Sequence, residues 1–413
     1  MEEKKLVPKL RFPGFTEPWE QRKLGELASF SKGNGYFKSD LKSTGIPIIL
    51  YGRLYTKYET VIEDIDTFAD AKEGAVYSLG GEVIVPASGE TAEEISIASV
   101  VQNPGVLLGG DLNIIRPTEN LLPSFLALSI SNGSAHREMS KRAQGKSVVH
   151  LHNEDLAQID LKYPSVEEQS KITACINWVD NLITLHQRKL EHLKLKKKSL
   201  LQKLFPKEGE VYPELRFPGF TDPWEQRKFK NFVQIRRGLT YKPSDIASSG
   251  IRVLRSSNIN EDQFITGTND VFVNIDAVDI PYVKSGDILL TSANGSAHLV
   301  GKHAIINDIV ENSAVHGGFM LLVESKNPQF INALLGSNWY KKFINLYVSG
   351  GNGAIGNLSK SDLEEQDVMF PSEEEQKAIG RVYFYMNHLI TLHQRKLEHL
   401  QLLKKALLQQ LFV

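Results

Sequence analysis

The chain has 413 residues, a formal net charge of −1 and a single cysteine, Cys175. This length predicts two or three domains, and a lone cysteine excludes a disulfide framework. The near-zero net charge excludes a global basic field, so any contact with a polyanion has to come from local basic patches. The first residues, MEEKKLVPKL, lack the apolar core of a signal peptide, and nowhere do about 18 apolar residues follow one another. We therefore expect a soluble, cytoplasmic protein in a reducing compartment.

A segment near the start of the chain occurs twice. Residues 8–24 read PKLRFPGFTEPWEQRKL and residues 213–229 read PELRFPGFTDPWEQRKF, with only three differences. Proline, glycine and aromatic residues predict an irregular segment whose rings, Phe12, Phe15 and Trp19, need a partner surface. We expect these rings to pack against a core rather than to bind a ligand, and the two copies predict two equivalent docking sites.

The regions that follow each copy, residues 25–164 and 230–371, correspond only in places. GEVIVPASG corresponds to GDILLTSANG, and GGDLNIIRP corresponds to GGFMLLVE. Each of these pieces is typical of a turn that leads into a buried strand. Helical patterns fall at residues 124–142 and 329–348. The sequence therefore predicts two mixed domains of helices and strands on one repeated scaffold.

Each half ends in a long helical pattern with a nearly identical sequence. LITLHQRKLEHL occupies residues 182–193 and returns at residues 389–400. The motifs EEQSKI and EEQKAI open the helices after Ser165 and Ser372, which we interpret as N-caps followed by acids in the first turn rather than as catalytic carboxylates. Apolar residues spaced alternately by three and four predict a coiled-coil seam. The alternative is that each helix is amphipathic and packs on its own domain. The apolar seam residues are Ile176, Val179, Ile183, Leu190, Leu193, Leu200 and Leu204 in the first helix, and Met386, Ile390, Leu397, Leu400, Leu407 and Leu411 in the second.

The sequence lacks the motifs of several enzyme classes. There is no GxxxxGK[ST] phosphate-binding loop and no Asn- or Asp-Pro-Pro-aromatic methyltransferase loop. The histidines do not have metal-ligand spacing, and no nucleophilic triad or paired-carboxylate site is recognisable. We therefore predict no catalytic residues and no metal site, and we interpret the chain as a binding and assembly protein.

The repeated motifs resemble the specificity subunit of type I restriction-modification enzymes. The resemblance rests on RFPGFxxxWEQRKL, GEVIVPASGET, GGDLNIIRP, YPSVEEQSKI and LITLHQRKLEHLKLKKKSLLQKLF, and it covers the whole chain twice. It implies an α+β fold in which two mixed α/β target-recognition domains are joined by two long antiparallel coiled-coil helices, with pseudo-twofold symmetry. On this basis residues 1–165 are the first target-recognition domain, 166–206 the central conserved helix, 207–371 the second target-recognition domain and 372–413 the C-terminal conserved helix.

The resemblance also implies the partners. Each target-recognition domain would read one half of a bipartite site in double-stranded DNA, and the helices would set the spacing between the halves. Two modification (methyltransferase) subunits and the restriction subunits would bind the chain, which itself would carry no active site. The resemblance places S-adenosylmethionine, ATP and Mg on these partner subunits and no cofactor on this chain, and it implies no membrane contact. The alternatives are a self-contained DNA-modifying enzyme and a coiled-coil scaffold without a role on DNA.

Polar side chains in the loops are the candidates for DNA contact. Arginine can bind guanine and asparagine or glutamine can bind adenine through two hydrogen bonds, whereas many other side chains only hold phosphates. The candidates are Lys32, Asn34, Tyr36, Arg53, Tyr55, Ser88, Glu90, Thr91, Arg142, Gln144, Lys146 and Ser147 in the first domain, and Arg236, Arg237, Thr240, Tyr241, Arg255, Ser256, Asn258, Ser292, Asn294, Ser296, His298 and Asn352 in the second.

The polar residues of the seam allow a prediction of register. If the helices are antiparallel about a centre between Leu190 and Leu400, His186 lies opposite Lys404, and His393 lies opposite Lys197. The flanking pairs in this register are Leu193 with Leu397 and Ile183 with Leu407.

Overall fold

A computed structural model describes residues 6–143, 149–348 and 356–413 of the chain. The chain forms two compact units. The first unit contains Met1–His186 and Lys396–Val413, and the second contains Gln187–Arg395. Each unit therefore contains parts of both long helices.

The strands of the first unit form a central, mainly antiparallel sheet with one parallel edge strand, and smaller sheets lie beside it. They are β1 (Glu20–Lys23), β2 (Ala28–Lys32), β3 (Ile46–Ile49), β4 (Val61–Ile62), β5 (Phe68–Ala69), β6 (Glu82–Pro86), β7 (Ser88–Gly89), β8 (Ser99–Val101), β9 (Leu107–Leu108), β10 (Leu112–Pro117), β11 (Val149–His150) and β12 (Asp160–Tyr163). The central sheet has the order β2-β10-β6-β8-β4, and β5-β3-β9 forms a second sheet in which β3 and β9 are parallel. The strand β6 is buried along its whole length, as expected for a central strand with a continuous apolar run.

Helices cover this sheet and complete the core. They are α1 (Leu24–Leu27), α2 (Gly52–Thr56), α3 (Ala92–Ile95), α4 (Pro123–Ser131), α5 (Gly133–Arg142), α6 (Asn153–Ala157) and α7 (Val166–Lys203). The helical pattern predicted at residues 124–142 is confirmed, but Asn132 interrupts it with an extended backbone, so that two helices form instead of one.

The second unit repeats the strand order of the first. Its strands are β13 (Glu225–Lys228), β14 (Val233–Arg237), β15 (Ile246–Ala247), β16 (Ile251–Leu254), β17 (Ile259–Asn260), β18 (Gln263–Phe264), β19 (Val271–Val273), β20 (Ile288–Thr291), β21 (Ala293–Asn294), β22 (His303–Ile305), β23 (Ala314–His316), β24 (Met320–Ser325), β25 (Gly356–Asn357) and β26 (Asp367–Phe370). Its helices are α8 (Pro328–Leu335), α9 (Asn338–Tyr347), α10 (Lys360–Glu364) and α11 (Glu373–Leu411). The order β14-β24-β20-β22 reproduces β2-β10-β6-β8, and the parallel pair β16–β23 reproduces β3–β9. The predicted mixed helix and strand domains are thus confirmed.

The repeated N-terminal segment docks in the same way in both units. Arg11 forms two hydrogen bonds of 2.8 Å with the carboxylate of Glu168 at the start of α7. In the second unit Arg216 binds Glu375 at the start of α11 with distances of 2.8 and 2.7 Å. The second glutamate of each EEQ motif is therefore held in an ion pair with the arginine of the repeated segment.

The tryptophan ring of each copy of this segment lies in the core of its unit. The ring centroid of Trp19 is 5.7 Å from that of Phe125 and 6.4 Å from that of Phe412. In the second unit Trp224 lies 5.8 Å from Phe205 and 6.3 Å from Phe330, measured in the same way. The prediction of core packing is confirmed for Trp19, and Phe12 is half-buried against the same core. Phe15 is half-buried outside this core, with Lys171 over its ring.

The two long helices begin as the sequence predicts. The hydroxyl of Ser165 accepts a hydrogen bond from the backbone N–H of Glu168 at 3.4 Å, and Ser372 does the same for Glu375 at 3.3 Å. These bonds satisfy backbone donors of the first turn, which confirms both N-caps. None of the predicted apolar seam residues is exposed. Of these residues, Ile176, Val179, Leu190, Leu193, Leu204, Ile390, Leu400 and Leu411 are buried, and Ile183, Leu200, Met386, Leu397 and Leu407 are half-buried.

Within each unit the segments of α7 and α11 run antiparallel. In the first unit Lys404 Nζ lies 2.6 Å from Asp180 Oδ1, and Leu411 packs in the same core as Ile172. In the second unit Lys197 Nζ lies 5.0 Å from the ring centre of Tyr383. Rising numbers on one helix therefore accompany falling numbers on the other.

The predicted register of the helices is wrong. Lys404 binds Asp180, six residues before His186, a distance of roughly 9 Å along the helix at about 1.5 Å per residue. Lys197 contacts Tyr383, ten residues before His393, and forms an ion pair of 2.9 Å with Asp262. A heptad seam repeats every seven residues, so apolar matching alone allows the helices to slide by one repeat. The contacts of Lys404 with Asp180 and of Lys197 with Tyr383 define the register that the helices adopt.

Among the helices of the described residues, none is both long and apolar enough to cross a membrane.

Candidate nucleic-acid interface

Both units contain the same glycine turn at the end of the parallel strand pair. In the first unit Gly109 donates its N–H to Ile49 O at 3.0 Å, and Leu112 donates to Gly109 O at 3.2 Å. The corresponding bonds of the second unit run from Gly317 to Leu254 O at 2.8 Å and from Met320 to Gly317 O at 2.8 Å. The backbone of this turn is therefore the same in both units.

A second glycine lets another segment approach this turn. A Cβ atom at Gly33 would overlap with the carbonyl of Gly109, and one at Gly238 would overlap with that of Gly317. Only glycine allows the segments after β2 and β14 to lie this close to the turns. The close approach brings three loops together around one concavity in each unit.

The concavity of the second unit, here called the second-unit cavity, has a volume of about 750 Å³. It gathers five of the residues predicted to contact DNA, from three loops that are far apart in the sequence. These five are Thr240, Tyr241, Arg255, Ser256 and Asn294. The turn residues Gly317, Gly318 and Phe319 complete one side of it.

An equivalent cavity in the first unit, here called the first-unit cavity, has a volume of about 520 Å³. It is bordered by the glycine turn with Asp111, by Tyr36 and Phe37 after β2, and by Leu50 and the residues after it. The chemistry of the two cavities differs, because Leu50 and Asp111 stand in the first where Arg255 and Phe319 stand in the second.

Arg255 is the arginine that lines the second-unit cavity, where it can contact a bound ligand. Its Nη2 makes only one weak hydrogen bond, of 3.4 Å, to Asn269 O, and its Nε has no partner among the described residues. Asn294 is partly engaged, since its Nδ2 donates to Ser256 Oγ at 3.1 Å and its Oδ1 accepts from Ser296 N at 2.9 Å. A guanidinium with unused donors matches the acceptor edge of guanine or a phosphate.

His316 lies buried beneath the second-unit cavity. It pairs with Leu254 across the parallel strands, at the position that Leu108 occupies in the first unit. Its Nε2 lies 3.3 Å from Arg236 O, and its Nδ1 is buried without a partner among the described residues. Burial lowers the pKa of His316 from 6.5 to about 4, because the protein interior disfavours the charged imidazolium.

This shift predicts a pH dependence of stability. The stability contributed by neutral His316 is fully present above the unfolded pKa of 6.5 and is lost as the pH falls toward the folded pKa of about 4. The His316→Leu chain, which copies the first unit, should lose less stability over this interval. Denaturant unfolding measured at several pH values between 7 and 4 tests this, with Leu108→Ala as a core variant that should leave the pH dependence unchanged. Parallel pH curves of the wild-type and His316→Leu chains would contradict the prediction.

Two arginines predicted to contact DNA form ion pairs within their own unit. Arg53 forms ion pairs with Glu59 at 2.7 Å and Asp66 at 3.1 Å, and its side chain is almost buried. Arg236 binds Glu324 at 2.6 Å and donates to Pro281 O at 3.0 Å. These ion pairs hold both arginines in their own unit, and DNA contact by either stays a prediction.

Three polar side chains also turn inward. Tyr36 is buried, and its hydroxyl accepts from Lys72 N at 2.9 Å. Asn258 is buried and donates to Ile265 O at 3.0 Å and Asp270 Oδ1 at 2.8 Å, and Ser292 is buried at the end of β20. DNA contact by these three stays a prediction, and Tyr36 also borders the first-unit cavity. Loop composition alone does not show which side chains face the core.

Other candidates are partly engaged with their own unit. Tyr55 donates its hydroxyl to Ser88 O at 2.8 Å, and burial raises the pKa of Tyr55, so that it stays neutral. Thr91 caps α3 by accepting from Glu94 N at 3.1 Å, and Asn34 donates to Glu73 O at 3.1 Å. Arg142 forms a 3.0 Å ion pair with Glu138. DNA contact by these residues stays a prediction.

The remaining candidates are accessible or lie outside the described part of the chain. The side chains of Lys32, Glu90, Arg237 and His298 are exposed, and Ser296 is half-buried. Gln144, Lys146, Ser147 and Asn352 fall outside the described residues. DNA contact at both groups stays a prediction.

Two phenylalanines at the cavities were missed by the sequence-based reasoning. Phe37 and Phe319 border the first-unit and second-unit cavities, and their side chains are 71% and 69% exposed. A phenylalanine in a sequence is ordinarily interpreted as core. The glycine pair that precedes Phe319 was the available signal, because a tight turn exposes the residue at its tip.

Within residues 6–143, 149–348 and 356–413, no group of three or more histidine, cysteine, aspartate or glutamate side chains could hold a metal ion. Hydrogen-bonding and aromatic side chains are among the residues that line both cavities, and such groups contact base edges and nucleobase rings.

Residues 16–195 and 221–402 match a family described as the type I restriction modification DNA specificity domain. The chain is similar to the type I restriction enzyme MjaVIII specificity subunit of Methanocaldococcus jannaschii, with 25% identity over 323 residues, which cover 74% of this chain and 75% of that protein. The fold is similar to that of the S subunit of a type I restriction-modification system from M. genitalium, with a TM-score of 0.62, 15% identity and coverage of 98% and 99% of the two chains. A chain of another solved type I R-M system has a TM-score of 0.53 at 16% identity, with the same coverage.

The family match extends over most of the chain and occurs once in each half. The structural likeness extends over nearly the whole length and independently shows the same fold. The chain therefore belongs to the type I restriction-modification DNA specificity family and is a specificity subunit, which serves DNA sequence recognition.

Proposed function

We propose that each unit reads one half of a bipartite site in double-stranded DNA, and that the chain holds two modification subunits on that site. The observation that carries this proposal is the pair of cavities. They are built on the same glycine turn in both units, yet they present different side chains. A shared frame with different lining is what two readers of unlike half-sites require.

The spacing of the half-sites would follow from the helices. The helix α7 has 38 residues and is roughly 57 Å long at about 1.5 Å per residue. The ion pair between Lys404 and Asp180 joins α11 to α7 in one register within the first unit. In the second unit Lys197 of α7 contacts Tyr383 of α11. A fixed register gives the paired helices a fixed length. The separation of the half-sites would follow from that length, because half-site spacing is a geometric property of the protein that binds the DNA.

Each unit also offers one outward apolar surface for a partner. In the first unit this surface, the first docking surface, consists of Trp178, Leu185 and Leu402, and in the second unit the second docking surface consists of Tyr385, Leu392 and Leu195. These residues occupy equivalent positions of the duplicated helix and are between 55% and 67% exposed. Two equivalent apolar surfaces support the docking of two copies of the same subunit.

The chemistry would reside on the partners. In this proposal the modification subunits bind S-adenosylmethionine and transfer its methyl group to adenine, and the restriction subunits use ATP and Mg. The chain contributes DNA recognition and assembly and no catalytic group. Consistent with that role, the buried glutamates of the EEQ motifs are held by arginine in ion pairs.

Mapping methylated adenines in a genome that expresses the chain with its modification subunit tests the proposal. We expect one motif made of two short parts separated by a gap of fixed length. A continuous motif, or methylation without sequence preference, would contradict it. Methyl transfer by the chain alone would instead support a self-contained enzyme.

The same assay separates base reading from phosphate binding. Arg255→Ala should relax the preference at one base of one half-site, by about 1–3 kcal/mol, because its free guanidinium donors lie in the second-unit cavity. Lys32→Ala, at an exposed position in the first unit, should weaken binding of all sequences to a similar degree. A change in both half-sites on Arg255→Ala would show that this residue is not a base reader of one unit.

A further inference from the structure

We propose that Asp111 and Phe319, which occupy the same position of the two glycine turns, are specificity-determining residues that make the two half-sites differ. In this inference, which rests on the proposed reading of DNA by each unit, Asp111 accepts a hydrogen bond from the exocyclic amino group of a cytosine, and Phe319 contacts the methyl group of a thymine.

The backbone holds both residues in the same place. Asp111 O accepts a hydrogen bond from Ala87 N at 2.8 Å, and Phe319 O accepts from Ser292 N at 2.9 Å. On their other side the turns are closed by the bonds of Gly109 and Gly317 to β3 and β16. Two side chains that start from one fixed backbone position differ only in their chemistry.

The exposure of Phe319 has no explanation in the fold. Its ring is 69% exposed at the edge of the second-unit cavity, although its backbone is fixed by hydrogen bonds on both sides. Because the backbone of the turn is already fixed, burial of this phenyl group costs little further backbone entropy, and it gains from the removal of apolar surface from water. The ring is therefore suited to an apolar contact with a ligand that enters the cavity.

The neighbouring residues strengthen the contrast between the cavities. Arg255 stands beside Phe319 in the second-unit cavity, where the first-unit cavity has Leu50 beside Asp111. The second unit thus pairs a cation with an apolar ring, and the first pairs an anion with an aliphatic chain. Asp111 is exposed at the first-unit cavity.

These side chains select different base edges. In the major groove a carboxylate can accept from the N4 amino group of cytosine, whereas the N7 and O6 atoms of guanine are acceptors that repel it. A phenyl ring can contact the 5-methyl group of thymine, which no other base of DNA carries. The two positions therefore favour different bases.

The experiment removes one methyl group at a time. Duplexes that contain the mapped site are prepared with deoxyuridine in place of each thymine, and binding by the complex of the full chain with its modification subunits is measured. We expect an about three- to ten-fold loss at one thymine of one half-site for the wild-type chain, in line with the burial of a single methyl group. With Phe319→Ala this difference should vanish, whereas Leu346→Ala, an exposed apolar residue away from this cavity, should retain it.

The results that would overturn this inference differ from those that would overturn the proposed function. If the wild-type complex binds one bipartite site but no thymine is sensitive, if neither half-site contains a thymine, or if Phe319→Ala keeps the sensitivity, the inference is overturned while the proposed function stands. If the wild-type complex prefers no bipartite sequence, the proposed function fails first. A loss of complex assembly in Phe319→Ala would assign the ring to a protein contact and overturn the inference as well.

Discussion

Replacement of Arg216 by alanine is expected to lower the free energy of unfolding by about 3–5 kcal/mol, because it leaves a charged carboxylate buried without a partner. The side chain of Glu375 is 1% exposed and that of Arg216 is 15% exposed. Both oxygens of Glu375 accept from the guanidinium, at 2.8 and 2.7 Å. The same variant also loses the bond from Arg216 to Asp222 O, which stabilises the loop within the repeated segment. Denaturant unfolding followed by circular dichroism measures the change.

Two further variants test whether the effect comes from the buried charge or from the loss of any ion pair. Lys228→Ala breaks an ion pair with Asp367 in which both side chains are well exposed, so the expected loss is about 0–1 kcal/mol. The double variant Arg216→Met with Glu375→Leu removes both buried charges and should be more stable than Arg216→Ala. If Arg216→Ala were as mild as Lys228→Ala, Glu375 would not depend on its arginine. Arg11→Ala should have a similarly large effect, since Arg11 and Glu168 form the equivalent pair.

The repeated parts of the chain could be predicted because their chemistry is local. The caps at Ser165 and Ser372 follow from residue types at fixed offsets, and the burial of Trp19 follows from a large ring in a segment that needs a partner surface. The seam residues follow from spacing alone. The register does not, because a heptad pattern matches itself after seven residues, and tertiary contacts such as that of Lys404 with Asp180 distinguish the alternatives.

The candidate site could be predicted only in part, because a loop sequence gives residue types without directions. Arg255 and Asn294 come together in one cavity as predicted for loops that share a function. Asn258, only three residues after Arg255, instead turns inward and holds its own loop. Phe319 shows the opposite error, since a side chain that composition assigns to a core is placed in the open by a glycine turn. Tertiary contacts decide such cases, and no local pattern encodes them.

Trp178→Ala combined with Leu185→Ala is expected to weaken the binding of one modification subunit by at least about 30-fold and to leave the other bound. Buried aromatic anchors at interfaces are each worth about 2 kcal/mol or more, which corresponds to about this factor. Both side chains are exposed in the first docking surface, so their removal should leave the stability of the chain almost unchanged. Native mass spectrometry of the assembled complex counts the bound subunits, and a titration gives the affinity of each.

The duplication supplies the matched variant for this prediction. Tyr385→Ala with Leu392→Ala makes the equivalent change in the second docking surface and should also leave one subunit bound, whereas the four changes together should leave none. Leu79→Ala, at an exposed leucine of the first unit outside the long helices, should bind both subunits normally. Methylation mapping then links assembly to recognition, because each one-sided complex should methylate mainly one half of the site. If the variant with all four changes still bound two subunits with unchanged affinity, these docking surfaces would be refuted. Apolar contacts at equivalent positions of the repeated helix could then not explain how one partner binds twice.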